Sequence, residues 1–434
     1  MKIAIIGSGI SGLAVAHKLQ GQAELSLFEA GNYFGGHTHT VDVTLPGPQG
    51  PVTQGVDTGF LVFNERTYPK LIALFAELGI ATAKSDMSFS VQVPQARGRS
   101  ALEWSGSSLN TVFAQRRNLL RPRFLQMLRD VLRFNALATR IAESGAEIEL
   151  MQPLSEFLKQ HGFSEVFRDW YFLPMLGCIW SCPTDQMLQF PVATMIRFCH
   201  NHGLIQVTNR PQWWTVAGGA RHYVDKIVSS VQDKRLNTPV SGIRRDAQGV
   251  WLTSKGQTER FDQVVLACHS DQSLALLTDA SPAERATLGA IRYQPNRAVL
   301  HTDTTVLPRT RRAWAAWNYQ RAADPTQEQS RVCLHYLLNM LQPLPFQQSV
   351  LVSLNPVQEI APRHVLGSYA YDHPVFDLAA IQAQKQVATL QGQRGTYFCG
   401  AWTGYGFHED GLASGLEVAR RIRRTLAQPE RLAA

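Results

Sequence analysis

Residues 3–19, Ile3-Ala4-Ile5-Ile6-Gly7-Ser8-Gly9-Ile10-Ser11-Gly12-Leu13-Ala14-Val15-Ala16-His17-Lys18-Leu19, decide how this chain is read. Four apolar residues run into three glycines at G-x-G-x-x-G spacing, and a helix-forming run follows. Strand, glycine turn, helix is the context in which that spacing counts as a dinucleotide fingerprint. Gly7 permits the tight turn and Gly9 lets a pyrophosphate approach the backbone. Gly12 lets the helix pack closely on its strand. The first N–H groups of the helix, around Ile10 and Ser11, then face the phosphates. The next apolar run, 25–28, ends at Glu29, 20 residues after Gly9. An acid at about that offset hydrogen-bonds an adenosine ribose.

With 434 residues, the chain is long enough for two domains. Hydrophobic residues make up 44% and charged residues 18%, a globular balance. No apolar run approaches the ~20 residues of a membrane-spanning helix. The opening Lys and apolar run resemble a signal peptide only superficially. Gly7, Gly9 and Gly12 break it and no cleavage site follows, so a buried strand and a cytoplasmic protein are expected. The cysteines, Cys178, Cys182, Cys199, Cys268, Cys333 and Cys399, form no C-x-x-C pair, so reduced buried thiols and no metal site are expected. Net charge is +8, with arginines clustered at 116–123, 309–312 and 420–424. Such runs read as solvated helix faces. The alternative is a surface meeting anionic phospholipid head groups at the inner face of a membrane. Nothing points to base readout, so no nucleic-acid partner is expected.

Beyond Glu29 and Ala30 the chain reads Gly35-Gly36-His37-Thr38-His39-Thr40. These first 40 residues resemble the flavin-containing amine oxidase and phytoene desaturase superfamily. That family carries the fingerprint, a Glu-Ala pair and a Gly-Gly-Arg-x-x-(Thr/Ser) loop. Gly35, Gly36 and Thr40 match, and His37 stands in place of the arginine. The resemblance implies FAD held by Gly7, Gly9, Ile10, Ser11, Gly12, Glu29, Ala30, Gly35, Gly36, His37 and Thr38. It places Gly59 and Phe60, within 56–63, beside the flavin ring; a buried strand with a glycine bulge is the alternative. It gives the backbone of Val240 the adenine end, and sets the strand at 262–267 beside the cofactor. The closing loop, Gly400-Ala401-Trp402 to Gly415, is similar to the family's last flavin motif. Gly400, Glu409, Ser414 and Gly415 match, with Gly411 and Leu412 among the implied contacts. Trp402 falls where the family often has an acid for the ribityl chain. The wording of 56–69, 296–303 and 400–412 resembles one bacterial subgroup, predicted FAD- or NAD-binding oxidoreductases encoded near cyclopropane-fatty-acyl-phospholipid synthases.

The expected fold is α/β. A discontinuous Rossmann-type, GR2-like FAD-binding domain (1–80, 205–288, 385–434) carries an inserted α+β substrate-binding domain (81–204, 289–384). Gly218-Gly219 lacks a preceding apolar strand and a following acid, so no second nicotinamide site is read. The apolar run 170–180 reads as core helices or as the lining of an apolar substrate cavity. Arg297 is placed where many amine oxidases have a lysine near the flavin, which argues against amine oxidation because arginine keeps its proton. His408 and Glu409 are the candidate catalytic residues, His408 for proton transfer near neutral pH. For His408 the alternative is a cap or hydrogen-bond partner at the helix N-terminus. Tyr405 and Phe407 are candidates for an aromatic wall. Together these readings predict an FAD-dependent oxidase, dehydrogenase or desaturase acting on an apolar small molecule or lipid, fatty-acyl or phospholipid. The alternatives are a peroxide-forming amine oxidase, a non-redox flavin mutase or isomerase, and a non-catalytic FAD-binding partner protein.

Overall fold

Lys2–Ile6 lies between two parallel neighbours, Glu24–Phe28 and Gln263–Leu266. Asp233–Arg235 and Thr396–Phe398 extend this into a five-stranded parallel sheet. A parallel sheet is covered on both faces, so its central strands are largely apolar, while the edge strand Asp233–Arg235 is charged. Ile3, Ala4 and Ile5 are fully buried accordingly. The sheet is assembled from three stretches far apart in the chain. The computed structural model describes residues 1–94, 101–145, 152–180, 183–206, 210–324 and 332–427. Cys182 lies outside them; Cys178, Cys199, Cys268, Cys333 and Cys399 are thiols outside any disulfide.

Two helices cross over this sheet. Ile10–Leu19 follows the glycine turn, and His408–Leu426 lies against it. Their closeness depends on glycine in the second helix. A Cβ on Gly415 would stand 2.3 Å from the Ser11 carbonyl oxygen, and one on Gly411 2.8 Å from Ile10 Cγ2. The antiparallel meander Val240–Asp246, Gly249–Ser254 and Gln257–Phe261 flanks the sheet. Arg245 anchors it from a fully buried side chain, bridging Asp279 at 2.9 Å and Glu284 through both guanidinium nitrogens. Burial opposes the charge on Glu284, yet the Arg245 hydrogen bonds hold its carboxyl below the usual range.

A second sheet of seven strands runs in the order Val365–Val375, Arg292–His301, Leu351–Leu354, Cys333–Leu337, Trp317–Gln320, Phe89–Val93, Leu102–Ser105. Only the Trp317–Gln320 and Phe89–Val93 pair is parallel. Helix Leu173–Trp180 packs on Trp317–Gln320, with Gly177 leaving room for Tyr319 and Val332. The 170–180 run is therefore a π-helical turn, Arg168–Phe172, leading into an α-helix that starts one residue before Pro174. It is mostly core, but two of its side chains, Cys178 and Ile179, reach a cavity. Helix Pro122–Ser144 packs on Val192–Asn201, the helix that Pro191 introduces.

Candidate functional site

One cavity of about 710 Å³ begins at the glycine turn and extends to the seven-stranded sheet. Gly7, Gly9, Ile10 and Ser11 form its floor, with Glu29 and Ala30 at the end of the second strand. Gly35, Gly36 and His37 form the facing loop, and Gly36 is wedged so that a Cβ would stand 3.2 Å from Gly9 Cα. Gly59, Phe60, Val240, Gly400, Trp402 and His408 also line it. Segments separated by hundreds of residues thus meet at one space.

Five of the expected residues do not line this cavity. Gly12 serves the packing beneath it, since a Cβ there would stand 2.0 Å from the Gly7 carbonyl oxygen. Thr38 is buried, with its hydroxyl 2.5 Å from that of Tyr223. Gly411 lets the two helices approach, and Leu412 is fully buried core. Glu409 points away from the cavity. Its carboxylate accepts the N–H groups of Lys70 and Leu71 at 2.9 Å each, at the start of helix Pro69–Leu78. A carboxylate in that place satisfies orphan amides at a helix N-terminus. Glu409 therefore caps helix Pro69–Leu78 and does not reach the cavity, where a catalytic and cofactor contact is expected of it.

The residues that remain suit FAD. Gly9 faces the cavity, and a Cβ there would meet no protein atom within 4 Å. That space is kept open for something other than protein. Helix Ile10–Leu19 begins at Gly9 with no side-chain cap, so its first amides await an anion. The Glu29 carboxylate accepts from Ser8 N at 3.0 Å, Ser8 Oγ at 2.6 Å and Gly31 N at 2.8 Å. It is thereby aimed along the cavity wall. Trp402 is 2% exposed, and its indole N–H donates to the Cys268 carbonyl at 3.1 Å. Gly400 makes room for that ring, because a Cβ would stand 2.3 Å from Trp402 Nε1. The departure from an acid at this position is built into the packing.

His408 opens the last helix. Its ring stacks on Phe60 at 3.9 Å and 11°, and its Nε2 lies 2.7 Å from the Tyr223 hydroxyl. Burial pushes its pKa down to about 3, so it is neutral at pH 7. A neutral, stacked imidazole is a hydrogen-bond partner rather than a proton donor. Phe407 lines the cavity and stacks on Phe198 at 4.8 Å, whereas Tyr405 does not line it.

Arg297 is not near the cavity. It projects to solvent with its side chain 52% exposed, and pairs with Glu359 at 3.3 Å. The alternation of its strand turns the preceding residue inward, so Asn296 is 4% exposed. Asn296 Nδ2 donates to Gln294 O at 3.0 Å and to His373 Nδ1 at 2.9 Å. The His373 proton is thereby assigned to Nε2. His373 lines the cavity with His37 and His269, its ring centroid 5.6 Å from that of His37. Burial, reinforced by the neighbouring His373, His269 and His408, lowers the pKa of His37 to about 3. Burial and His269 lower that of His373 to about 4. Sequence reading singles out His37, takes His373 for a structural polar residue and passes over His269. His269 stands three residues after the apolar strand 263–266 and is the more accessible signal; His373 needs the register of two strands.

The far end is built differently. Trp317 and Tyr336 come from the seven-stranded sheet, Cys178 and Ile179 from the 173–180 helix, and Met87 and Leu204 from connecting segments. Trp317 and Tyr336 meet edge to face at 4.9 Å. The Trp317 indole N–H is buried and finds no partner among the described residues.

The family profile described as "Flavin containing amine oxidoreductase" matches residues 10–314. The chain belongs to that family. Among solved structures it is similar to the CLA-producing fatty acid isomerase from P. acnes, with a TM-score of 0.66 at 16% identity, covering 96% of this chain and 98% of that one. It is similar to cyclohexylamine oxidase from Brevibacterium oxydans IH-35A, with a TM-score of 0.68 at 17% identity, covering 98% and 99%. Wild-type putrescine oxidase bound to putrescine gives a TM-score of 0.67 at 14% identity, covering 98% and 99%. No curated protein matches the chain. At these identities the likeness is one of fold. No helix among the described residues is long and apolar enough to cross a membrane.

Proposed function

We propose that this protein is an FAD-dependent oxidoreductase that forms or rearranges a carbon–carbon double bond in an apolar, fatty-acyl substrate. The observation that carries this is the contrast within the cavity lining. Among the described residues that line it, Glu29 and Asp372 are the acids, and there is neither a lysine nor an arginine. The end formed by Met87, Cys178, Ile179, Leu204, Trp317 and Tyr336 carries no charged side chain, which suits an alkyl chain. The unpartnered Trp317 N–H leaves one donor there for a carbonyl or carboxylate oxygen.

FAD, when bound, supplies a two-electron acceptor for a hydride. The glycine turn, Glu29 and the 35–37 loop would hold its nucleotide half. Phe60, Phe407 and His408 would wall the space where the reacting carbon lies. His408, held neutral by burial, would supply a hydrogen bond there and not a charge.

A second reading, oxidation of an amine, has one specific point in its favour. Asp372 lines the cavity and is available to pair with an ammonium. Arg297 does not oppose amine oxidation, since its side chain lies outside the cavity.

Anaerobic mixing of the purified flavoprotein with unsaturated fatty acids or acyl phospholipids should bleach the flavin absorbance. Product formation without net bleaching identifies the isomerase form of the proposal. Bleaching by putrescine or cyclohexylamine and by no lipid overturns the substrate class. Protein that binds no flavin overturns the whole reading.

A further inference from the structure

The described residues expose eight large hydrophobic side chains, and five of them lie between positions 109 and 132. Leu109 is 79% exposed, Leu120 88%, Leu132 62%, Leu119 49% and Leu125 44%. An exposed leucine alone means little; a cluster of this kind marks an interaction surface. The same stretch is strongly basic. Residues 109–140 hold Arg116, Arg117, Arg121, Arg123, Arg129, Arg133 and Arg140 against one acid, Asp130. That acid is buried and committed, accepting from Arg133 at 2.8 Å and from Ser164 Oγ at 2.6 Å.

The fold enlarges this patch from elsewhere. Glu103 accepts the backbone N–H groups of Arg309 and Thr310 at 2.9 and 2.8 Å. The short turn Arg311–Ala313 packs against strand Leu102–Ser105 and helix Leu109–Val112. Arg309, Arg311 and Arg312 are exposed there. Two arginine clusters almost 200 positions apart in the chain therefore share one corner. The third does not join them. On the last helix Arg420 and Arg421 are paired with Glu417 at 2.6 and 2.8 Å.

Helix Pro122–Ser144 is two-faced at this corner. Phe124, Met127, Phe134 and Ala138 are fully buried, while Leu125, Arg129, Leu132 and Arg140 face solvent. Leucine and arginine interleaved on an outer face are the composition of a helix that lies in a membrane interface. Its inner face packs on Val192–Asn201, whose Phe198 lines the cavity.

We infer that this corner docks on the surface of an anionic phospholipid bilayer, with leucines 109, 119, 120, 125 and 132 entering the head-group region and the arginines pairing with phosphates. Charge complementarity favours that occupant over a second copy of the chain, since two such corners would set arginine against arginine. The inference stands apart from the substrate reading, because docking is measured without turnover.

The test is co-sedimentation of the full-length flavoprotein with vesicles of phosphatidylcholine alone, or with roughly one-third phosphatidylglycerol, at ~0.15 M ionic strength, where charges are felt over about 8 Å. Partitioning onto the anionic vesicles, falling as salt is raised, is expected. Arg129→Gln with Arg140→Gln and Arg312→Gln should cost about fivefold per residue, since each basic residue near such a surface contributes about that factor. Leu119→Ser with Leu120→Ser should cost ~10-fold, and their exposure keeps the thermal melt and flavin spectrum unchanged. Arg420→Gln with Arg421→Gln should bind like the parent. Equal binding to neutral vesicles, absence of binding, or an equal loss in the Arg420 and Arg421 pair overturns the inference. So does a dimer that the leucine variant dissociates while vesicle binding is unchanged.

Discussion

The two ends of the cavity are made in opposite ways. At the nucleotide end the wall is closely packed glycine backbone: Gly7, Gly9, Gly35, Gly36, Gly59 and Gly400 line it, and of these only Gly9 leaves its Cβ position open. At the far end, space is left between side chains that are present, chiefly Trp317, Tyr336, Ile179 and Met87. Backbone geometry defines the first and tolerates almost no change. Packing defines the second and is open to variation, so under the proposed function the far end is where substrate choice would reside.

The sharpest way to break that contrast is within the turn itself. Gly12→Ala forces a Cβ to 2.0 Å from a carbonyl oxygen and is expected to abolish soluble folded protein, checked by yield and far-UV circular dichroism. Gly9→Val meets no protein atom within 4 Å of its Cβ. It should fold with a thermal midpoint near that of the apoprotein and lose bound flavin by at least ~100-fold, read by absorbance after desalting. If both variants fold and both retain flavin, the turn is not a ligand cradle.

Glu284→Gln acts behind the nucleotide end and should cost about 1.5–3 kcal/mol, the loss of a charged hydrogen-bond partner, since Arg245 keeps its bridge to Asp279. Denaturant titration checks this. The sign with pH follows from the depressed pKa of Glu284. Its contribution is present above the unfolded carboxylate pKa of about 4.3 and is lost as pH falls through the lower folded value. The variant should therefore lack that part of the acid-induced loss.

Glu29→Gln tests the nucleotide end more gently. It keeps the shape and removes the charge that accepts from Ser8 and Gly31. Flavin affinity should fall about 10- to 100-fold, measured by fluorescence quenching, since hydrogen bonds to charged groups carry ~1.5–3 kcal/mol. At the far end, Ile179→Ala should leave flavin content unchanged and lower kcat/KM for the long-chain substrate about tenfold. An equal loss of flavin in the two variants would erase the distinction between the ends.

The smallest effect concerns His408, whose folded pKa of about 3 lies below the ~6.5 of an unfolded histidine. The unfolded chain takes up a proton below pH 6.5 and the folded chain does not. Stability is therefore full above pH 6.5 and declines as pH falls from there toward the folded value. His408→Asn should soften that decline by at most ~2 kcal/mol at pH 5 in a thermal-melt series.

Those differences also explain what could be read from the chain alone. Gly7, Gly9, Glu29 and Gly36 were legible because a backbone requirement leaves a fixed spacing of residue types. Glu409 was misplaced because a loop between strand and helix gives no indication of which way each side chain turns. Arg297 turns to solvent and Asn296 inward because neighbours on a strand face opposite sides, which a sequence without register cannot decide. His373 joins His37 only when strands Arg292–His301 and Val365–Val375 pair, bringing Asn296 beside it. Tyr336 and Ile179 are ordinary core residues by composition; only convergence makes them a cavity wall.

The crossing of helices Ile10–Leu19 and His408–Leu426 has a consequence for biosynthesis. The glycine turn leaves the ribosome first, yet Gly400, Trp402 and His408, which close the cavity over it, emerge almost 400 residues later. At ordinary translation rates that is a wait of about 20–80 s. Through that interval Ile10 and Ser11 lack the helix that later covers them, and the central strand Lys2–Ile6 lacks its partner Gln263–Leu266 for most of it. The nascent chain must therefore carry an unpaired apolar strand edge until Gln263–Leu266 is made, and the cavity is closed only after Gly400, Trp402 and His408 have emerged.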